Sequence, residues 1–142
     1  MLIPRLVMAS IAVGGAYLIG LGVAWYETAV LLGGLPIGGM LGGLALQLVY
    51  LGFAVALVSA VGARSSSVIA TIGFSVVVLL VLPAVGVIEG IGRWLPSHLV
   101  GAQVALLAEG SVGDYLPAVA VSVICGIALA LLAFRRAEAK EL

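Results

Sequence analysis

Apolar residues run through this chain in long stretches, and polar side chains are so few that each charged one marks a boundary. Charges fall at Arg5, Glu27, Arg64, Glu89, Arg93, Glu109 and Asp114, and then in a cluster from Arg135 to Glu141. Between Arg5 and Glu27 lie 21 uncharged residues, between Glu27 and Arg64 36, between Arg64 and Glu89 24, and between Asp114 and Arg135 20. A helix crossing a hydrocarbon core of about 30 Å needs about 20 residues. The pattern therefore predicts four spans, at residues 6–25, 37–61, 67–88 and 116–134. The surplus of the second interval is placed at 28–36, where Gly33, Gly34 and Pro36 predict a turn. The fourth span carries ten Leu, Ile, Val or Phe residues. At roughly −0.3 to −0.6 kcal/mol each near a helix centre, they favour insertion by about 3–6 kcal/mol. Pro117 falls in the first turn, where a missing N–H costs little.

The stretch between Glu89 and Asp114 breaks this pattern. Its apolar run, 97–108, is too short to cross a bilayer. Ser97 is placed to cap the run and Gly110 to close it, just after Glu109. Trp94 suits the headgroup level, where an apolar ring and a polar N–H are both accommodated. The expectation is a short re-entrant or interfacial helix, shielded by protein wherever it dips below the headgroups; a plain surface loop is the blander alternative. Pro83, inside the third span, removes a backbone donor and crowds the carbonyl of Leu79, which predicts a kink leading into this segment.

Composition agrees with spans rather than a water-facing fold. The 142 residues are 64% hydrophobic and 8% charged, with mean hydropathy +1.37. A soluble domain carries about 25% charged residues. The fold class expected is therefore an all-α membrane protein of four transmembrane helices plus the short outer helix, forming one transmembrane domain over 1–142. Six basic and six acidic residues cancel, which argues against a nucleic-acid partner and leaves membrane lipids as the surroundings. Basic residues are also distributed unevenly. Arg5, Arg64, Arg135, Arg136 and Lys140 fall on one side of the four spans and Arg93 alone on the other, so both termini are expected in the cytoplasm. The first apolar stretch exceeds the 7–15 residues or so of a signal-peptide core and is expected to be retained.

Catalytic chemistry finds no support. No phosphate-binding loop, nucleophile elbow or zinc-ligand pair occurs, and one cysteine and one histidine exclude most metal and triad arrangements. No catalytic, cofactor-binding or metal-ligating residue is assigned, and the chain is not expected to be an enzyme. Every acidic residue lies at a span end or in a loop, which argues against a proton-coupling carboxylate deep in the membrane.

Weaker signals admit two readings each. Gly34, Gly38 and Gly42 recur every fourth residue, with Gly39 and Gly43 beside them. Such a face serves either a subunit or gating interface or packing within the chain, and packing is the simpler reading. Ser67, Thr71 and Ser75 form a polar stripe that would line a substrate path or bond back to their own helix. Gln47, mid-span, needs a partner in hydrocarbon, for which Tyr50 and Tyr17 are candidates; interhelical glue is the simpler role and part of a pathway the sharper one. His98 reads as a polar residue of the outer helix, and Cys125 as a small buried apolar residue.

Four passages in order resemble the C-terminal two-thirds of the permease subunits of type-two ATP-binding-cassette (ABC) exporters. They are V-S-A-V-G-A-R-S-S-S at the end of the second span, V-L-L-V-L-P closing the third, R-W-L-P-S-H-L before the short helix, and A-L-A-L-L-A-F-R-R-A-E ending the fourth. Together they cover about 45–138. The resemblance implies a bacterial or archaeal cell-membrane protein that pairs with another permease chain as a homo- or heterodimer. A separate nucleotide-binding subunit would hold ATP and magnesium, so this chain would need no cofactor of its own. It also implies that the turn at Arg64 and Ser65 touches that ATPase, and that Trp94, Pro96 and His98 belong to the re-entrant segment between the last two spans. Members of that family have six spans, so on this reading the chain corresponds to a partial permease or to a half that pairs with another small chain. The alternative expectation is a four-span accessory or scaffold protein that stabilises a partner through its glycine face.

Overall fold

The computed structural model describes residues 3–34, 37–108 and 110–141. It is an all-α membrane protein with four helices long and apolar enough to span a bilayer. The long helices are α1 (Ile3–Leu32), α2 (Ile37–Arg64), α3 (Val68–Val85) and α5 (Leu116–Glu141). Between α3 and α5 lie the 3-10 turns Gly92–Trp94 and Pro96–Gly101, the short helix α4 (Ala102–Leu107), and a further 3-10 turn, Val112–Tyr115.

α2 is the central element and contacts α1, α3, α4 and α5. α2 and α5 run side by side in the same direction, with Ala118 packed beside Leu46 and Gly126 beside Phe53. α3 returns alongside α2, Gly62 facing Thr71. α1 also runs against α2, with Gly14 opposite Leu48. Arg64, Arg135 and Arg136 thus share one end of the bundle, the arginine end. Glu27, Glu89 and Asp114 share the other, the acidic end, together with Arg93, while Glu138 and Glu141 are on the last turns of α5 at the arginine end.

The short turn at the arginine end and the helix lengths create the need for α4. α2 has 28 residues and α3 has 18, and three residues join them at the arginine end. At 1.5 Å per residue, α3 stops about 15 Å short of the far end of α2. The chain fills this step by climbing back along α2 as the Pro96–Gly101 turn and then α4. Leu99 and Ala102, both 0% exposed, pack with Leu46, Leu106, Tyr115 and Ala118 to form the core at this level. Higher up, Gln103 meets Gly43 and Leu106 meets Gly39.

These approaches require glycine. A Cβ on Gly39 would lie 2.5 Å from the Leu106 carbonyl oxygen, and one on Gly43 2.7 Å from the Gln103 Cα. With no side chain in the way, the backbone of α4 lies directly on α2, which shields its polar groups with protein. Gly34 and Gly38 have open space where a Cβ would stand. The small-residue face expected over Gly34, Gly38 and Gly42 therefore sits differently: Gly39 and Gly43 carry the contact, and Gly42 joins it through the Leu106 side chain, 3.3 Å from its Cβ position.

Element boundaries also depart from the expected ones. α1 continues through residues 28–32, where the sequence predicts a turn. Thr28 hides its hydroxyl by donating to the Ala24 carbonyl at 2.7 Å, so it does not interrupt the helix. The break comes at Gly33, whose φ of 88° is open to glycine. Pro36 and Glu109 lie outside the described residues. α3 ends at Val85, two residues past Pro83, rather than continuing to 88. Gly86 then donates its N–H to the Leu82 carbonyl, and Gly90, with φ 86°, lets the chain turn. α5 runs on from 134 to Glu141. The short helix expected over 97–108 is half 3-10 turn and half α-helix, and Ser97 does not cap it. It is buried in the 3-10 turn, and its hydroxyl donates to the Leu82 carbonyl at 3.1 Å, tying the turn to the top of α3. Gly110 does close α4: its N–H donates to the Ala105 carbonyl at 2.8 Å, the six-to-one bond of a Schellman end.

Gly43→Leu should drive α4 off α2 and cost about 1–3 kcal/mol, the usual penalty for overpacking. Gly38→Leu, set in open space, should stay within about 0.5 kcal/mol of the parent. Thermal or denaturant unfolding in mild detergent reads both, and equal effects would show that the glycine contact does not hold α4.

Candidate functional site

Three polar side chains, Tyr17, Gln47 and Gln103, lie at the junction of α1, α2 and α4. Tyr17, on α1, donates its hydroxyl to Gln103 Oε1 of α4 at 2.8 Å. It is the one side-chain to side-chain hydrogen bond among the described residues. α4 positions Gln103 because its backbone rests on Gly43, and α1 positions Tyr17 because it packs along the same stretch of α2. Gln47 lies one helical turn below Gly43 on the same face of α2 and is half-buried.

Tyr17, a candidate partner for Gln47, serves Gln103 instead. No described residue hydrogen-bonds the Gln47 amide. The reason is α4, which occupies the space between the two helices and brings its own amide within reach. Gln103 emerges as a site residue only in the fold. Its one visible signal is that it is the sole amide in the short apolar run 97–108. The junction thus holds one phenol and two amides, all neutral, with one strong mutual bond and spare donors on both amides.

The Ser67, Thr71 and Ser75 stripe divides. Ser67 caps α3, its Oγ accepting the Ala70 N–H at 3.4 Å, and Thr71 donates its hydroxyl to the Ser67 carbonyl at 3.0 Å. Both therefore serve the helix start rather than a path. Ser75 is 3% exposed, and its Oγ has no hydrogen-bond partner among the described residues.

At the arginine end, Arg64 is exposed on the last turn of α2, and Ser65 sits in the turn. Ser65 Oγ donates to the Ser67 carbonyl at 3.0 Å and accepts the Ser67 N–H at 3.2 Å, which holds the link tight. At the acidic end, Trp94 is exposed with the Arg93 guanidinium 5.9 Å from its ring centroid. Pro96 is buried at the start of the 3-10 turn. His98 is half-buried and stacks on Tyr115, ring centroids 4.8 Å apart and planes at 28°. That stack joins the short segment to the start of α5, a role in packing that neither spacing nor composition announced. Cys125, expected to be buried, is exposed on the face of α5 turned away from the bundle, where lipid covers an apolar thiol.

No cluster of metal-ligating side chains occurs among the described residues. What the arrangement can do is bind and pack: hold the short segment against α2 and α5, and present neutral polar groups between helices.

A double-mutant cycle on Tyr17→Phe and Gln103→Leu should return a coupling of about 0.6 kcal/mol, the average for such bonds within a membrane. Unfolding in detergent measures it, and additive single effects would show that the bond does not form. Comparisons with protein-family models, curated proteins and solved structures return no match to this chain.

Proposed function

We propose that this chain is all or part of a membrane-spanning permease subunit of an ATP-driven ABC exporter. The observation that carries the reading is the segment between the last two spans. It folds back along α2, buries Leu99 and Ala102, and returns to start α5 at the same level. A re-entrant element at that place is what the resemblance to type-two exporters implies, and Trp94, Pro96 and His98 all belong to it.

In this reading the four spans form part of the substrate route, and the neutral groups Tyr17, Gln47 and Gln103 border it. The energy comes from a separate nucleotide-binding subunit, because the spans hold no acidic group between their ends to couple to an ion gradient. The turn at Arg64 and Ser65 forms the smaller contact with that subunit, and a second permease chain completes the transporter. Both termini lie in the cytoplasm of a bacterial or archaeal cell, since Arg64, Arg135 and Arg136 gather at one end with Arg5 and Lys140 on the same side in sequence.

Purified from its own membranes in mild detergent, the chain should bring with it an ATPase of the nucleotide-binding class, and vesicles holding both should show ATP-dependent export. Repeated recovery without any ATPase would overturn the reading in favour of an accessory role. Orientation has a separate test. In a Cys125→Ala background, Ser111→Cys should react with an impermeant maleimide from outside the cell and Ala137→Cys only after the membrane is opened. The reverse pattern would invert the topology.

A further inference from the structure

At the arginine end, a groove of about 330 Å³ lies between the last turn of α2 and the first two turns of α3, lined by Val61, Arg64, Ser65, Ala70 and Phe74. Ligand sites begin at about 300 Å³, so the groove is large enough to hold part of a small molecule. Its walls are apolar. Val61 and Ala70 supply the sides, and Phe74, 59% exposed, supplies a ring facing out of the bundle. The polar groups are confined to the rim.

The rim is positive. A guanidinium keeps its charge at any physiological pH, and Arg64 is exposed with no acidic partner among the described residues. Of the acids, Glu27, Glu89 and Asp114 stand at the opposite end of the bundle, and Glu138 and Glu141 lie on the last turns of α5, outside the groove lining. Ser65 is already committed, donating to Ser67 and accepting from it, so Arg64 is the group at this rim free to receive an anion. It is also the last residue of a 28-residue apolar helix, which places it where hydrocarbon gives way to headgroups. From that level the groove runs back along the span past Ala70 to Phe74.

An occupant that satisfies both parts has a negative head at Arg64 and an apolar tail against Val61, Ala70 and Phe74. We propose that the groove binds one anionic phospholipid, its phosphate held by the Arg64 guanidinium and one acyl chain lying between α2 and α3. Guanidinium and phosphate match in charge and in fork geometry. A free phosphate would gain nothing from the apolar walls. A zwitterionic lipid carries its own cation beside the phosphate and so gains less from Arg64.

The site does not depend on coupling to an ATPase. Arg64 is also part of the turn assigned to that subunit, so the test uses the full chain purified alone. In mild detergent, mixed with phosphatidylglycerol or phosphatidylcholine, the chain should retain one phosphatidylglycerol molecule in preference, counted by native mass spectrometry. Arg64→Gln should lower that preference about fivefold, since one basic side chain near an anionic leaflet is worth about 1 kcal/mol. Arg135→Gln removes the same charge from the same end but outside the groove, and should leave the preference unchanged. Ala70→Trp fills the groove at an exposed position while keeping Arg64, and should release the lipid without lowering the unfolding temperature. Inorganic phosphate should not displace it. Equal losses for Arg64→Gln and Arg135→Gln would reduce the effect to diffuse surface charge and overturn the proposal. So would retention by Ala70→Trp, displacement by inorganic phosphate, or equal binding of phosphatidylcholine.

Discussion

The backbone of α4 lies on Gly39 and Gly43 of α2, and most of the acidic half of the bundle depends on that contact. A short helix beside long spans must cover its own carbonyls and amides with protein, because lipid offers them no partner. Direct backbone-to-helix packing does this with little space to spare: a Cβ at either glycine would come within 2.7 Å of α4. Once α4 is seated, Leu99 and Ala102 close the core with Leu46 and Ala118, and Gln103 is brought to Tyr17. His98 then meets Tyr115, and α5 starts at the level that lets it run beside α2.

Several hydroxyl groups elsewhere are handled locally. Thr28 donates to Ala24, Thr71 to Ser67 and Ser122 to Ala118, each hydroxyl returning to the carbonyl one turn earlier on its own chain. Such bonds make the residues compatible with hydrocarbon but commit them to nothing between helices. The Tyr17–Gln103 bond, like that of Ser97 to Leu82, instead links separate elements of the fold. The charged groups stand toward the ends of the bundle.

Much of the fold was legible in the sequence. Four intervals free of charge gave four spans, and a run too short to cross gave the folded-back segment. Gly110 announced the end of α4. Misplaced were the features in which a polar residue satisfied itself or found a distant partner. Thr28 looked like turn material, yet its hydroxyl is spent inside α1. Ser97 looked like a cap, yet it bonds to Leu82, fifteen residues earlier, because α3 ends beside it. Gln47 looked like the amide that needed Tyr17, yet α4 places Gln103 there first.

The division follows the range of the interactions. Transfer of apolar side chains from water to lipid is a sum over local residues, so the sequence by itself determined which segments span, how many there are and which ends carry charge. Which glycines touch a neighbour is a different kind of fact. Gly38 and Gly39 are adjacent and chemically identical, but one faces open space and the other the Leu106 carbonyl. Only the rotation of α2 about its axis separates them, and that is set by what α4 and α5 pack against it. The tertiary structure alone therefore decided the glycine contact, the partner of Tyr17 and the groove at Arg64, because each depends on residues distant in the chain meeting at van der Waals range.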